Sequence, residues 1–476
     1  MAGYITGEPR TQSTLFPEAL DDYIHDDNPV RVVDVFVEEL NLSKLGFERT
    51  IPSITGRPGY SPATMLKLYL YGYLNRIQSS RRLEREAQRN IELMWLTQRL
   101  TPDFKTIADF RKDNGTGIKN VCRTFNGMWC KMNVFTEAVV AVDGSKFKAV
   151  NSTDRNYTQA TIKRRIEIVE KHIEDYLAQL DVADKNDVPE DTESIQTKLA
   201  TLKVHLTTLE SIESEIQNSP DKQVSLTDAD CRAMKSSSIG RTVGYNVQTA
   251  VDTKHHLIVA HYVTNSGTDR SELNSIGKHA QEATGKTGLM VLADKGYYSG
   301  DTIKAAQDEG MTPVVPKALT SANTKKGMFS KDDFIYNADK DAYTCPTGKE
   351  LPYSFEASEN GRAIWIYTST RSCKDCRIKS QCTTSKTRRV RRWEHEDRLD
   401  KMEAKLKAHP ESMIIRKSTV EHPFGTIKSW MGATHFLTRR LHNVSTEMSL
   451  HVLAYNLRRV INILGVSTLI AELQAA

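Results

Sequence analysis

The sequence lacks the marks of several large protein classes. Its apolar stretches fall well short of a bilayer-spanning helix, which argues against a membrane protein. The opening residues MAGYITGEPR have neither the charged nor the apolar region of a secretory signal, so a cytoplasmic protein is expected. Seven cysteines in 476 residues are odd in number and too sparse for a secreted disulfide scaffold. Charge of one sign is scarce as well: 65 Lys and Arg face 60 Asp and Glu, and a net charge of +5 says little about nucleic acid. What is present, 39% hydrophobic and 26% charged residues, suits a soluble globular chain. Its length exceeds what one core usually supports, so two or more domains or large insertions are expected.

Local charge is more informative. Residues 416–459 carry seven cations (Arg416, Lys417, Lys428, Arg439, Arg440, Arg458, Arg459) against Glu421 and Glu447, and residues 76–99 hold six Arg against three Glu. Such faces can neutralise backbone phosphates, or can simply be solvated helix surface. Helical patterns begin at Asn28-Pro29 and Ser61-Pro62, each a capping residue with proline at the first helical position. An Arg-rich helix over 80–98 and another over 104–113 complete an all-helical N-terminal domain, residues 1–135.

The texture changes at Ala138. The run Ala-Val-Val-Ala-Val (138–142) reads as a buried strand that ends on Asp143, and the run 288–293 reads as another that ends on Asp294. Between them lie two apolar seams. Ile162, Ile166, Val169, Ile173 and Leu180 form one, and Ile195, Leu199, Leu202, Leu206 and Leu209 the other, which predicts an antiparallel helical hairpin inserted over 155–225. The spacing leaves open whether it joins two copies or packs on its own body. Residues 244–251 and 257–263 predict a strand hairpin, 269–283 a helix, 300–309 a helix and 311–315 a strand. The core therefore occupies 136–154 and 226–316 and resumes over 406–476, where a helix over 411–430 bears Glu421 and an apolar helix spans 445–465. Residues 317–405 form a Cys-rich insertion. The fold class is α/β, a mixed sheet flanked by helices.

Asp143 and Asp294 at strand ends, with Glu421 on a helix laid across the sheet, can converge on one point. Three carboxylates so placed repel unless divalent cations share the site. Oxygen ligands favour Mg²⁺ or Mn²⁺, and two such ions can clamp the attacking and leaving oxygens of a phosphodiester. Singly, Asp143 and Asp294 each read more simply as a turn former or helix cap. Asp252, Asp269 and Asp301, at hairpin or helix starts, take that plainer reading.

The surroundings of the three acids are recognisable. Ala-Val-Asp-Gly-Ser-Lys-Phe-Lys (141–148), Val-Leu-Ala-Asp-Lys-Gly-Tyr-Tyr (291–298) and Val-Glu-His-Pro-Phe-Gly-Thr-Ile-Lys (420–428) resemble the three acidic motifs of bacterial insertion-sequence DDE transposases. The helical start at Gly59-Tyr60-Ser61-Pro62 and the segment Leu453-Ala-Tyr-Asn-Leu457 are similar to the opening domain and closing helix of that family, so the resemblance covers nearly the whole chain. It implies an RNase H-like core and Asp143, Asp294 and Glu421 as catalytic ligands of two Mg²⁺ or Mn²⁺ ions. The family's third motif places Tyr, Arg, Glu and Lys at set spacings. Here the Glu421-to-Lys428 spacing fits, whereas Ile414 stands in the Tyr slot and Lys417, beside Arg416, in the Arg slot. Lys428 lies seven residues from Glu421, on one face of a regular helix, suited to a phosphate near the metals. Gly296 permits a tight turn after Asp294, and Tyr297 and Tyr298 either stack on DNA or pack the core.

Cys345, Cys373, Cys376 and Cys382 supply four thiolates in a short span, with one CxxC pair. That set suits a structural Zn²⁺, and similar transposases carry a comparable cluster before the catalytic Glu. The plainer reading is four ordinary cysteines. With zinc, the insertion would present Arg388, Arg389, Arg391 and Arg392 to DNA, and Lys295, Arg416, Lys417 and Lys428 are the other expected DNA contacts.

The resemblance thus implies a nucleoid-associated enzyme of the bacterial cytoplasm that acts on double-stranded DNA as a homodimer. It would bind terminal inverted repeats, cut the element ends and join the 3′-OH to target DNA. A domesticated DNA-binding regulator without catalysis, and a metal-dependent nuclease without strand transfer, are the alternatives.

Overall fold

The computed structural model describes residues 18–51, 58–131, 138–186, 189–236, 240–317 and 322–475. The opening decapeptide and residues 187–188, within the expected hairpin junction near 181–193, lie outside them. Two compact units form: one from residues 1–136, 144–267 and 420–476, the other from 137–143 and 268–419. Among the described residues no helix is long and apolar enough to cross a membrane.

The first unit opens with helices whose starts are written in the sequence. Asn28 accepts from Val30 N at 2.9 Å with Pro29 following, and Ser61 accepts from Ala63 N at 3.2 Å with Pro62 following. Asp103 accepts from Lys105 N and Thr106 N, both at 3.0 Å. The single Arg-rich helix expected over 80–98 is in fact two, Ser80–Ala87 and Ile91–Leu96. The break falls where Asn90 turns its side chain back to cap Glu92 N at 3.0 Å, giving the backbone an alternative to a continuous helix.

Two helices of this unit have long stretches buried on every face and therefore lie inside it. They are Pro62–Leu74 and the long C-terminal helix Leu441–Leu464, which pack on each other. The start of the latter has no side-chain cap of its own. Acids from elsewhere serve instead: Asp228 accepts from Arg440 N at 2.9 Å and Asp230 from Leu441 N at 2.8 Å. Glu447, 1% exposed, accepts from Leu437 N at 2.8 Å, Thr438 N at 2.9 Å and the Thr438 hydroxyl at 2.6 Å.

Strand β1, Val139–Lys148, begins in the second unit and ends in the first. In the first unit it neighbours β2, Gly240–Asp252, which pairs antiparallel with β3, Ile258–Thr264, and with a short edge strand, Arg232–Ser236. β1 and β2 approach so closely that a Cβ on Gly244 would lie 1.9 Å from the Phe147 carbonyl oxygen, which admits only glycine there. The segment Leu453–Leu457 fastens the long helix to the β2–β3 hairpin. Asn456 exchanges hydrogen bonds with both backbone groups of Ile258, and Tyr455 donates to the His256 carbonyl at 2.6 Å. The hairpin helices Gln159–Asn186 and Pro189–Asn218 bury Ile162, Val169, Leu209, Ile212 and Ile216 between them, with Ile166, Ile173, Leu202 and Leu206 alongside.

In the second unit β1 pairs parallel with β4, Met290–Leu292, and β4 parallel with β5, Thr312–Val314. The sheet is thus mixed: the Arg232–Ser236 strand, β2, β1, β4 and β5 follow in that order, and β3 also pairs with β2. Helices Leu273–Thr284, Gly300–Asp308 and Glu396–Ala408 complete this part. The Cys-rich stretch is a β-meander. β6 (Ile335–Asn337), β7 (Ala342–Thr344), β8 (Glu350–Glu359), β9 (Arg362–Tyr367) and β10 (Val390–Trp393) lie in sequence order around Phe334, Tyr343, Leu351, Tyr367 and Val390.

Candidate active site

Parallel pairing places the first two acids. β1 and β4 run in register as Val139 with Met290, Val140 with Val291 and Ala141 with Leu292. Asp143 and Asp294 each follow two residues after the last registered pair, Ala141 with Leu292. Both charges bear on the buried Tyr297 phenol, so the two carboxylates share one neighbourhood.

The expectation that both strands stop at their acid holds for β4 alone. β4 gives way to one 3₁₀ turn, Lys295–Tyr297, and Asp294 accepts from its Gly296 N at 2.8 Å. β1 instead continues to Lys148, because Phe147 is a core residue packed on Phe424 and Phe436 in the first unit. Asp143 therefore sits in mid-strand, beyond the last residue paired to β4, and its side chain stays 27% exposed.

Arg416 attends it. The guanidinium donates to Asp143 Oδ1 and, at 3.2 Å, to the Val142 carbonyl. Tyr297 is a buried core side chain. Burial, then the charges of Asp269, Asp143 and Asp294, push its phenol well above the ordinary value, with Arg416 pulling the other way. Asp269 thus belongs to the same electrostatic neighbourhood, although its carbonyl also makes the turn expected of it, accepting from Glu272 N at 3.1 Å. Tyr298 is half-buried, and burial pushes it up to about 12. Asp252 accepts from His255 N within its hairpin turn, and Asp301 opens a helix and pairs with Arg362, both as expected of turn and cap residues.

Glu421 is exposed on the helix Ser412–Gly425, five residues beyond Arg416. Pro423 removes one rung of that helix, which then widens into a π-helical turn, Thr426–Trp430. Lys428 lies in that turn, so its seven-residue spacing from Glu421 is no longer two regular turns. In the first unit its Nζ donates to Ser145 Oγ at 2.7 Å and the Lys146 carbonyl at 2.9 Å, 4.4 Å from the Phe147 ring centroid.

The other expected contacts divide. Lys295 and Lys417 are exposed. Along β10 and the residues before it, strand alternation splits the basic run: Arg389 and Arg391 face outward while Arg388 and Arg392 are buried. Arg388 donates to the Cys382 carbonyl at 3.0 Å, and Arg392 lies 3.7 Å over Tyr336 while pairing with Asp400 at 2.8 Å. These two are engaged inside the meander.

The four cysteines are free, half-buried thiols. Cys345, Cys373 and Cys382 pack against the meander's aromatic core. Burial raises the Cys382 thiol, Arg388 lowers it, and the neighbouring Cys373, Cys376 and Cys345 raise it further, so the four are gathered. Burial opposes ionisation of Cys345, but hydrogen bonds from the Thr347 hydroxyl and the Thr347 and Lys349 amides outweigh it and lower its pKa. Among the described residues no three His, Cys, Asp or Glu side chains are placed as a ready metal-holding group.

Residues 18–113 match the family described as Transposase domain (DUF772), and residues 344–461 match the family described as Transposase DDE domain. The second match takes in the four cysteines and Glu421 and stops short of Asp143 and Asp294. No curated protein matches the chain. Among solved structures, a cryo-EM piggyBac transposase synaptic complex with hairpin DNA overlaps 94% of this chain and 79% of its own. The overlap has 9% identity and a TM-score of 0.29, too loose to carry fold or mechanism. The two matches identify residues 18–113 and 344–461 as transposase domains, the second of the DDE type, and support a DDE-type insertion-sequence transposase.

Proposed function

We propose that this transposase binds the terminal inverted repeats of its own element, cuts the phosphodiester bonds at the ends and transfers the 3′-OH to target DNA. The observation that carries this reading is that Asp143 and Asp294, each two residues past the last registered pair of two parallel strands, both bear on Tyr297. The β2–β3 hairpin next to β1 on one side and the parallel strands β4 and β5 on the other support an RNase H-like core. The donor set also fits the metal. Carboxylate oxygens are what Mg²⁺ or Mn²⁺ prefers, and Asp143, Asp294 and Glu421 are the residues that would hold two such ions. When bound, such ions supply Lewis-acid activation of the attacking and leaving oxygens.

The remaining steps belong to the protein. Arg416 orients the Asp143 carboxylate, and the Gly296 amide orients Asp294. Tyr297 fills the space beside them and excludes water. Lys295, Lys417 and Lys428, with Arg389 and Arg391, meet phosphates, and two copies hold the paired ends. Cys345, Cys373, Cys376 and Cys382 are the residues that would hold a structural Zn²⁺, the amide and hydroxyl bonds on Cys345 favouring the thiolate that ligation needs. Elemental analysis should find about one zinc per chain, lost on Cys376→Ser; a metal-free protein that melts unchanged with chelator would rule zinc out.

The test of the chemistry is cleavage and joining of DNA bearing the element ends, with Mg²⁺ or Mn²⁺, by wild type and Glu421→Gln. Metal-dependent cutting and joining, lost in a variant that still binds the ends, is the expected result. Binding without chemistry in either protein would reduce the three acids to structural residues.

A further inference from the structure

One exposed indole in the first unit carries two arginines. Trp430, 36% exposed, ends the π-helical turn. The Arg76 guanidinium lies 4.5 Å from its ring centroid and that of Arg458 3.4 Å. Three distant parts of the chain are needed to make this contact, and each is fixed. Arg76 adopts φ +61°, a left-handed conformation that non-glycine residues rarely take. It is held there by its neighbours: buried Ile77 donates its amide to Gly72 O at 2.7 Å, and Gln78 Nε2 donates to the Met431 carbonyl at 2.7 Å. Arg458 follows directly on the buried stretch of the long C-terminal helix.

Neither arginine forms an ion pair with an acid among the described residues. Burial and the nearby Arg76 charge both lower the pKa of Arg458, so the two cations stand close enough to repel. Stacking on an indole holds a guanidinium in place without neutralising it. Its edge N–H groups stay available, and their fork matches a phosphate. What this group of residues lacks is an anion. The same turn carries Lys428, already engaged with Ser145 and Lys146.

We propose that Arg76, Trp430 and Arg458 form a clamp for the sugar–phosphate backbone of DNA, with the indole edge against the sugar. The proposal rests on the reading of this chain as an enzyme that works on DNA.

The test is the salt dependence of binding by the full chain to a short labelled duplex of random sequence. Affinity is measured from about 50 to 200 mM salt, where each lost phosphate contact lowers the log–log slope by about 0.9. Arg76→Gln with Arg458→Gln should lower it by about 1.8, and Arg458→Gln alone by about 0.9 should the pair fail to fold. Lys171→Gln with Lys203→Gln, exposed on the helical hairpin, changes net charge equally and should leave the slope in place. An unchanged slope in the arginine variants, or an equal fall in the lysine control, overturns the clamp and leaves the DNA-acting reading standing. Wild type without salt-dependent binding overturns both.

Discussion

Two groups of acids serve this fold in opposite ways. Around the start of the long C-terminal helix, Asp228, Asp230 and Glu447 are matched to backbone amides and hydroxyls. Asp228 takes the Tyr245 hydroxyl at 2.8 Å as well as Arg440 N, and both it and Glu447 are 1% exposed. A carboxylate so buried is tolerable because its charge is met by donors on the spot. On β1 and beyond β4, Asp143 and Asp294 instead share the neighbourhood of Tyr297, partly open to solvent, attended by Arg416 and the Gly296 amide. The first group completes a helix and a loop. The second places like charges together, an arrangement that makes sense when cations are to be held.

Substitution should separate the groups along two axes. Asp294→Asn keeps the shape and the Gly296 cap while removing a charge. Cutting and joining of end-bearing DNA should fall by about three orders of magnitude, with stability changed by no more than about 0.5 kcal/mol. Glu447→Gln is the converse. It turns an amide NH₂ toward backbone donors in a buried site, and unfolding by denaturant should show a loss of about 3 kcal/mol. The comparison collapses if Asp294→Asn destabilises as much as Glu447→Gln, for Asp294 would then be another structural acid.

The strand acids were legible because their signal is local: a short apolar run followed by an acid, twice. The caps at Asn28 and Ser61 and the two seams of the hairpin were legible for the same reason. The acids of the first group left no local trace, since Asp228 and Asp230 cap a helix that starts more than two hundred residues later in the chain. The β-meander was hidden differently. β8 buries only Leu351 fully in ten residues, so no alternation announces it. Without that strand context, Arg388, Arg389, Arg391 and Arg392 read as one basic surface, whereas β10 and the residues before it turn Arg388 and Arg392 inward. The π-helical turn that resets Lys428 follows from Pro423, which was visible, but its geometry depends on the packing of Ile427 and Met431.

The smallest expected effect concerns pH and belongs to the buried group alone. His451 lies one helical turn beyond Glu447, wholly buried, its ring 4.7 Å from that of Tyr73. Burial first, and the Arg111 charge second, push its imidazole down to about 3 from an ordinary 6.5. The folded pKa is the lower one, so as pH falls the unfolded chain takes up the proton first. The stability that neutral His451 contributes is therefore whole above pH 6.5, declines below it and is spent near pH 3. The slope is at most about 1.4 kcal/mol per pH unit, or about 2 kcal/mol between pH 6.5 and 5. His451→Gln should flatten the dependence of denaturant midpoint on pH by that amount. A His451→Gln protein that keeps the full slope would assign it to another group and remove pH as a means of telling the two sets of acids apart.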